Sequence, residues 1–194
     1  MNIARILWPV KVLGPGNRIG IWVSGCGRRC PFCSNPELWH RKKEYEISVS
    51  QLREVISRIA AEHRVDGFTF SGGEPMDQAE ELAELLSGIS SISGDILIYS
   101  GYTLAQLKEK NDPAVNSVLK QVAVLIDGEY RDEENNNVLL RGSANQKIHI
   151  LNEQLRRKYD EYLSSAVNQI QNFTVSGGII SVGIHHRGFS GGTL

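Results

Sequence analysis

Outside one short stretch this chain of 194 residues contains no cysteine: all three fall in CGRRCPFC, at positions 26, 30 and 33. None is left for a structural disulfide, which points to a reducing cytoplasm. No apolar run approaches the roughly twenty residues that span a bilayer. The opening MNIARILWPVKVLG interleaves basic with apolar residues and lacks the unbroken apolar core of a signal peptide. Basic residues are not in excess either. Lys and Arg total 21 against 22 Asp and Glu, a net charge of -1, which excludes the basic stripe of a nucleic-acid-binding surface. There are no internal repeats and no linker. What remains is a charged, ordinary composition long enough for one domain with its own core, with no membrane or nucleic-acid partner.

The pattern along the chain is strand, loop, helix, repeated. Strands are predicted at residues 19–24, 67–70, 95–99, 122–126 and 147–151, each a short apolar run. Helices are predicted at 47–63, around Ala79 to Leu86, at 104–110, from Pro113 onwards and at 152–171. Ser48 with Gln51, and Thr103 with Gln106, have capping-box spacing. Residues 173–175 and 179–184, flanking Ser176-Gly177-Gly178, read as a hairpin or tight connection. RDEENNN, at 131–137, is too hydrophilic to pack and reads as a solvated loop. Strands alternating with helices predict an α/β fold with a parallel sheet, either curved as part of a barrel or flat and doubly wound.

In such folds the chemistry gathers beyond the carboxyl ends of the strands. Four segments fall there: the cysteine loop, Ser71–Pro75 (SGGEP), Tyr99–Thr103 (YSGYT) and Ile126–Gly128 (IDG). Cys26, Cys30 and Cys33 can hold three corners of a cubane 4Fe–4S cluster and leave the fourth iron open, whereas closed cluster sites use four cysteines. An open metal position is what separates a catalytic centre from scaffolding. The plainer alternative is a zinc site with His40 as the fourth ligand, in a binding or redox-sensing module. Gly72 and Gly73 permit close backbone approach to a ligand.

Together these segments resemble the radical S-adenosylmethionine enzymes, and within them the small activating enzymes of anaerobic ribonucleotide reductase. The resemblance is carried by GPGNRIGIWVSGCGRRCPFCSNPELW, FSGGEP, YSGYT, LIDGEY and LLRGSANQ, and covers about residues 1 to 151. It implies one radical S-adenosylmethionine domain over 1–194, a partial parallel (β/α) barrel with a C-terminal extension over about 152–194. It implies a 4Fe–4S cluster on Cys26, Cys30 and Cys33, with S-adenosyl-L-methionine chelating the unique iron. Phe32 would lie against the adenine, and Gly72, Gly73, Glu74 and Pro75 would hold the methionine amino group. Reductive cleavage would give a 5′-deoxyadenosyl radical that takes a hydrogen, in the activases from a glycine of a partner glycyl radical enzyme. A flavodoxin or ferredoxin-type protein would supply the electron. The same chemistry on a small molecule or peptide is the alternative.

Further candidates come from position alone. Asp127 ends a strand and either binds the cofactor's ribose or amine or forms a turn with Gly128. Ser100 and Tyr102, beside Gly101 near the same edge, either touch the cofactor or belong to a segment shaped by helix entry through Thr103. His185 and His186 follow an apolar strand, where one reaches the site or both face solvent. Arg18 pairs with a carboxylate or satisfies loop backbone. Arg141, Ser143 and Asn145 match the family's RGS-N-Q signature with no derived role. Two departures stand out: Leu13 occupies a commonly acidic position before Gly14-Pro15-Gly16, and the chain continues well past RGSANQ.

Overall fold

The apolar runs become the strands of one six-stranded sheet in the computed structural model, which describes residues 1–175 and 177–187. Ser176 of the expected turn and residues 188–194 of the extension lie outside the described residues. The strands β1 (Ile3–Val10), β2 (Arg18–Val23), β3 (Gly67–Gly72), β4 (Ile96–Ser100), β5 (Val124–Asp127) and β6 (Lys147–Ile150) lie side by side in chain order. Strands β2 to β5 run parallel, while β1 and β6 join the two edges antiparallel. The expected parallel sheet is therefore mixed, and among the described strands it is open, because β1 and β6 do not pair with each other.

Parallel neighbours need crossovers. Here they are α1 (Val49–Glu62), α2 (Ala79–Ile89), α3 (Leu104–Glu109) and α4 (Pro113–Gln121). Both capping boxes form: Ser48 with Gln51 opens α1, and Thr103 with Gln106 opens α3. Asp112 caps α4, accepting from Ala114 N and Val115 N ahead of Pro113.

Side chains alternate across the sheet. Ile19, Ile21, Phe68, Phe70, Ile96, Ile98 and Leu125 meet Leu52, Ile56, Leu82, Leu85, Leu86 and Val118 of the helices. The opposite face carries Trp22, Leu97, Val124 and Ile126, and is covered from the C-terminal extension. That extension holds α5 (Arg156–Ser165) and an antiparallel hairpin, β7 (Ile170–Val175) with β8 (Gly178–Gly183). The helix expected over 152–171 is thus much shorter: its tail is strand β7, paired with β8 from Ile170↔Gly183 onwards. No helix among the described residues is long and apolar enough to cross a membrane.

Arg18 lies at the foot of β2, fully buried, and both roles considered for it are realised. Its guanidinium donates to Thr69 Oγ1 at 2.7 Å, Phe68 O at 2.6 Å, Pro15 O at 3.2 Å and Asp95 Oδ1 at 3.1 Å. Lys158 and Tyr159 of α5 reach the same Asp95 carboxylate. Burial pulls the Asp95 carboxyl up, but Arg18, with Lys158 and Tyr159, outweighs it and holds the group below the usual carboxylate range. This network anchors the extension to the amino-end edge of the sheet, opposite the cysteine loop.

Candidate metal and cofactor site

β2 ends at Val23, and the chain turns through Gly25 (φ +101°) into the cysteine loop. Backbone bonds pin the start of this loop on two sides. Gly25 N and Cys26 N donate to Leu38 O and Trp39 O at 2.8 and 3.0 Å, while Glu74 N donates to Gly25 O at 2.9 Å. Glycine is required at both contact points of the neighbouring loop. Gly72 sits at φ +101°, and a Cβ on Gly73 would fall 2.3 Å from Gly25 O. The two loops therefore touch backbone to backbone, which side chains larger than hydrogen prevent.

Above this contact a cleft of about 960 Å³ opens. Its walls include Cys26, Cys30, Cys33, Phe32, Gly72–Glu74, Ser100–Gly101 and, from the extension, Ile179–Arg187. Burial pushes the Cys26 and Cys30 thiols up from their ordinary value. Cys33 Sγ accepts the Asn35 N–H at 3.4 Å, the kind of contact that tunes cluster sulfurs. Three polar atoms on the cleft walls are buried with no partner among the described residues: Arg28 Nε, Trp39 Nε1 and Tyr99 Oη. Buried polar atoms normally find partners, so donors left over at a cleft mark where a ligand completes the bonding. The thiols and these atoms fit a cluster with a polar ligand beside it.

His40, the fourth ligand of the zinc alternative, does not line this cleft. His40 is exposed, and its carbonyl accepts the Ser24 hydroxyl at 2.8 Å.

Glu74 is a strut. Buried to 1% exposure, it accepts from Met76 N at 2.9 Å, Ser100 Oγ at 2.9 Å and Gly101 N at 2.7 Å, clamping SGGEP to YSGYT. Burial raises its carboxyl to about 7. Pro75 starts the short 3-10 turn that Glu74 caps. Tyr102 donates to Asp77 Oδ1 at 3.0 Å and lies under the Arg28 guanidinium at 4.9 Å. Phe32, at φ +58°, is 79% exposed on the cleft's lip.

Asp127 stands apart from the rest. Its Oδ2 accepts Leu104 N at 2.6 Å, and His149 Nε2 lies 2.9 Å away, off the line of a hydrogen bond. It does not line the cleft; Gly128 after it does. His185 and His186 both border the cleft, in the segment following β8. Burial lowers His185 below the ordinary imidazole value.

The RGSANQ segment, opaque as sequence, is a clasp. Gln146 accepts Gly142 N at 2.8 Å and Ser143 N at 3.3 Å, and donates to Gly128 O at 2.8 Å. Arg141 donates to Gln146 O at 3.0 Å, Asn145 to Glu129 O at 2.8 Å, and Arg131 N to Ser143 Oγ at 3.1 Å. It thereby fixes the loop after β5, whose Tyr130 and Asp132 border the cleft. The polar 131–137 segment is likewise more than a solvated loop. Asn135 donates to His185 O at 2.9 Å, and Asp132 pairs with Arg187 at 3.0 Å. Leu13, before Gly14-Pro15-Gly16, is 4% exposed in the apolar cluster that includes Trp22 and Val182 of the hairpin. Arg28, Trp39 and Tyr99 lie in the quoted segments, but sequence reasoning gave them no role of their own, since only the fold brings them to the cleft wall.

Residues 12–149 match the family model of the 4Fe-4S single cluster domain. Curated relatives cover most of the chain. The anaerobic ribonucleoside-triphosphate reductase-activating protein of Enterobacteria phage T4 is 30% identical over 76% of this chain and 93% of its own length. The proteins of that name from Vibrio cholerae and Pasteurella multocida are 32% and 33% identical, over 73% and 77% of this chain and 94% and 97% of theirs. With nearly the whole of each relative matched, the chain belongs to the family of anaerobic ribonucleoside-triphosphate reductase-activating proteins, built on a 4Fe-4S single cluster domain.

Proposed function

We propose that this chain is a radical S-adenosylmethionine enzyme that binds a 4Fe–4S cluster through Cys26, Cys30 and Cys33 and activates an anaerobic ribonucleotide reductase. In this reading the open sheet is the partial (β/α) barrel of that class, one domain with an extension over about residues 152–194. The observation that supports it most is the convergence of the three thiols, Gly72–Glu74 and Ser100–Gly101 on one cleft. A cluster held by Cys26, Cys30 and Cys33 would supply the one-electron reduction that cleaves S-adenosyl-L-methionine to methionine and a 5′-deoxyadenosyl radical, and through that radical the removal of a glycine Cα hydrogen from the partner enzyme.

The chain's own residues bind, orient and shield. Gly72 and Gly73 bring backbone carbonyls to the methionine amino group, and Glu74 and Ser100 hold that segment in place. Phe32 lies against the adenine, and the Trp39 indole and Arg28 guanidinium supply further polar contacts. His185 closes the opposite wall. Such a radical attacks nearby C–H bonds without discrimination, so these walls must exclude water and fix the target hydrogen. A flavodoxin or ferredoxin-type donor in the cytoplasm provides the electron.

The test is to incubate the reconstituted, reduced protein with S-adenosyl-L-methionine and the anaerobic ribonucleotide reductase of the same genome. Deoxyadenosine should form together with a glycine-centred doublet in electron paramagnetic resonance. Deoxyadenosine formed with no radical on the partner contradicts the activase reading.

A further inference from the structure

The hairpin lies wholly beyond the family match, which ends at residue 149, yet it builds a wall of the cleft. Successive residues of a strand point to opposite faces. Here every residue from Ile179 to Gly183 borders the cleft, while none of β7 does. A wall of that kind is a strand seen edge-on. One edge of β8 is paired to β7 along its whole length, and no described strand pairs with the other.

Among the described residues that edge carries no charge, no proline and no paired strand. Strand edges are commonly blunted with charges, proline or covering elements, whereas β8 reads GIISVG and leaves Ile179 57% exposed. It is also held in place. Val182 and Ile180 pack with Trp22 and Leu13. Gln171 of β7 donates to Pro9 O at 2.7 Å and accepts Lys11 N at 2.9 Å. Past the far end of β8, Asn135 and Arg187 tie the chain to the loop after β5. A fixed edge saves a binding partner the cost of ordering it.

We propose that the open edge of β8 docks the glycine-bearing segment of the activated enzyme as an added β-strand. This rests on the activase reading and names how that partner is held. The atom to be attacked is a main-chain Cα, so the site must recognise backbone. Strand addition does this, taking its affinity from main-chain hydrogen bonds. The same cleft is bordered by Gly72, Gly73 and Gly101 beside the cysteine loop, where the chain presents main chain to an incoming strand.

The probe is a short synthetic peptide spanning the radical-bearing glycine of the anaerobic ribonucleotide reductase from the same genome, added to the full chain with its cluster reconstituted. Amide hydrogen exchange is followed residue by residue. On peptide addition, alternate amides within 179–183 should gain protection, these being the ones not already bonded to β7. Proline at one such position, Ile179→Pro or Ile180→Pro as the pattern dictates, should weaken peptide binding about tenfold, the worth of a backbone bond or two. Protection confined to other segments, uniform protection of the hairpin, or no peptide binding overturns the docking proposal. None of these bears on whether a radical forms on the intact partner, so the activase reading stands or falls separately.

Discussion

The Tyr159 hydroxyl donates to Asp95 Oδ1 at 2.5 Å, joining a helix beyond the family match to the buried Arg18 beneath the sheet. Tyr159→Phe leaves one acceptor of a buried charge network short. It should cost about 1–2 kcal/mol in urea unfolding while iron loading is unchanged, because the network lies opposite the cysteine loop. An equal loss of iron would show that α5 supports the cluster directly.

Asp95 titrates below its ordinary value when folded, so its contribution is complete above about pH 4 and is lost as pH falls towards the folded value. Asp95→Asn should flatten the acid side of the stability profile. Truncation to Ala, which strands Arg18, should cost about 3–5 kcal/mol. Denaturant titrations between acid and neutral pH read both effects.

Glu74 has the opposite sign. Its folded value, about 7, lies above the unfolded one, so its contribution is present below the ordinary carboxylate range and is lost as pH rises to neutrality. Cluster-free protein should therefore lose stability across that window. Glu74→Gln should remove the slope at a cost of about 1 kcal/mol for the lost acceptor. A slope that survives the substitution would assign the titration to another group.

The contact between Gly73 and Gly25 sets the cysteine loop against SGGEP. Gly73→Ala should lose most of its iron after reconstitution, since the new Cβ forces the two backbones apart. Gly94→Ala, where a Cβ meets open space, should load normally. Iron and sulfide assays compare the pair. Cys30→Ala should lose the cluster with the far-ultraviolet circular dichroism of the sheet and helices intact.

Gln146→Ala removes three hydrogen bonds of the clasp at once. A cost of about 1–3 kcal/mol follows from the buried groups left unpaired, together with faster amide exchange at Gly128 and Tyr130. Exchange that speeds up only elsewhere would deny the clasp its role.

What was legible in the sequence was local. Buried strands β2 to β5 announce themselves as apolar runs, and α1 and α3 by their capping boxes, because those signals lie within a few residues of each other. β1 was missed because it is an edge strand of half-buried positions with Arg5 in its midst. The helix at 152–171 was overextended because the partner of Ile170 is Gly183, thirteen positions on, and no stop signal precedes it. The cysteines and SGGEP were readable from spacing. The unpartnered Tyr99 and Trp39, the Glu74 strut and the RGSANQ clasp were not, since each depends on atoms that only the folded sheet brings together.

The central claim is that three thiolates hold a cluster whose fourth iron takes an added ligand. It is tested most directly by electron paramagnetic resonance of the reduced, reconstituted protein with and without S-adenosyl-L-methionine. About four irons per chain and a changed cluster signal on addition are expected. An unchanged signal from a fully loaded protein would contradict it.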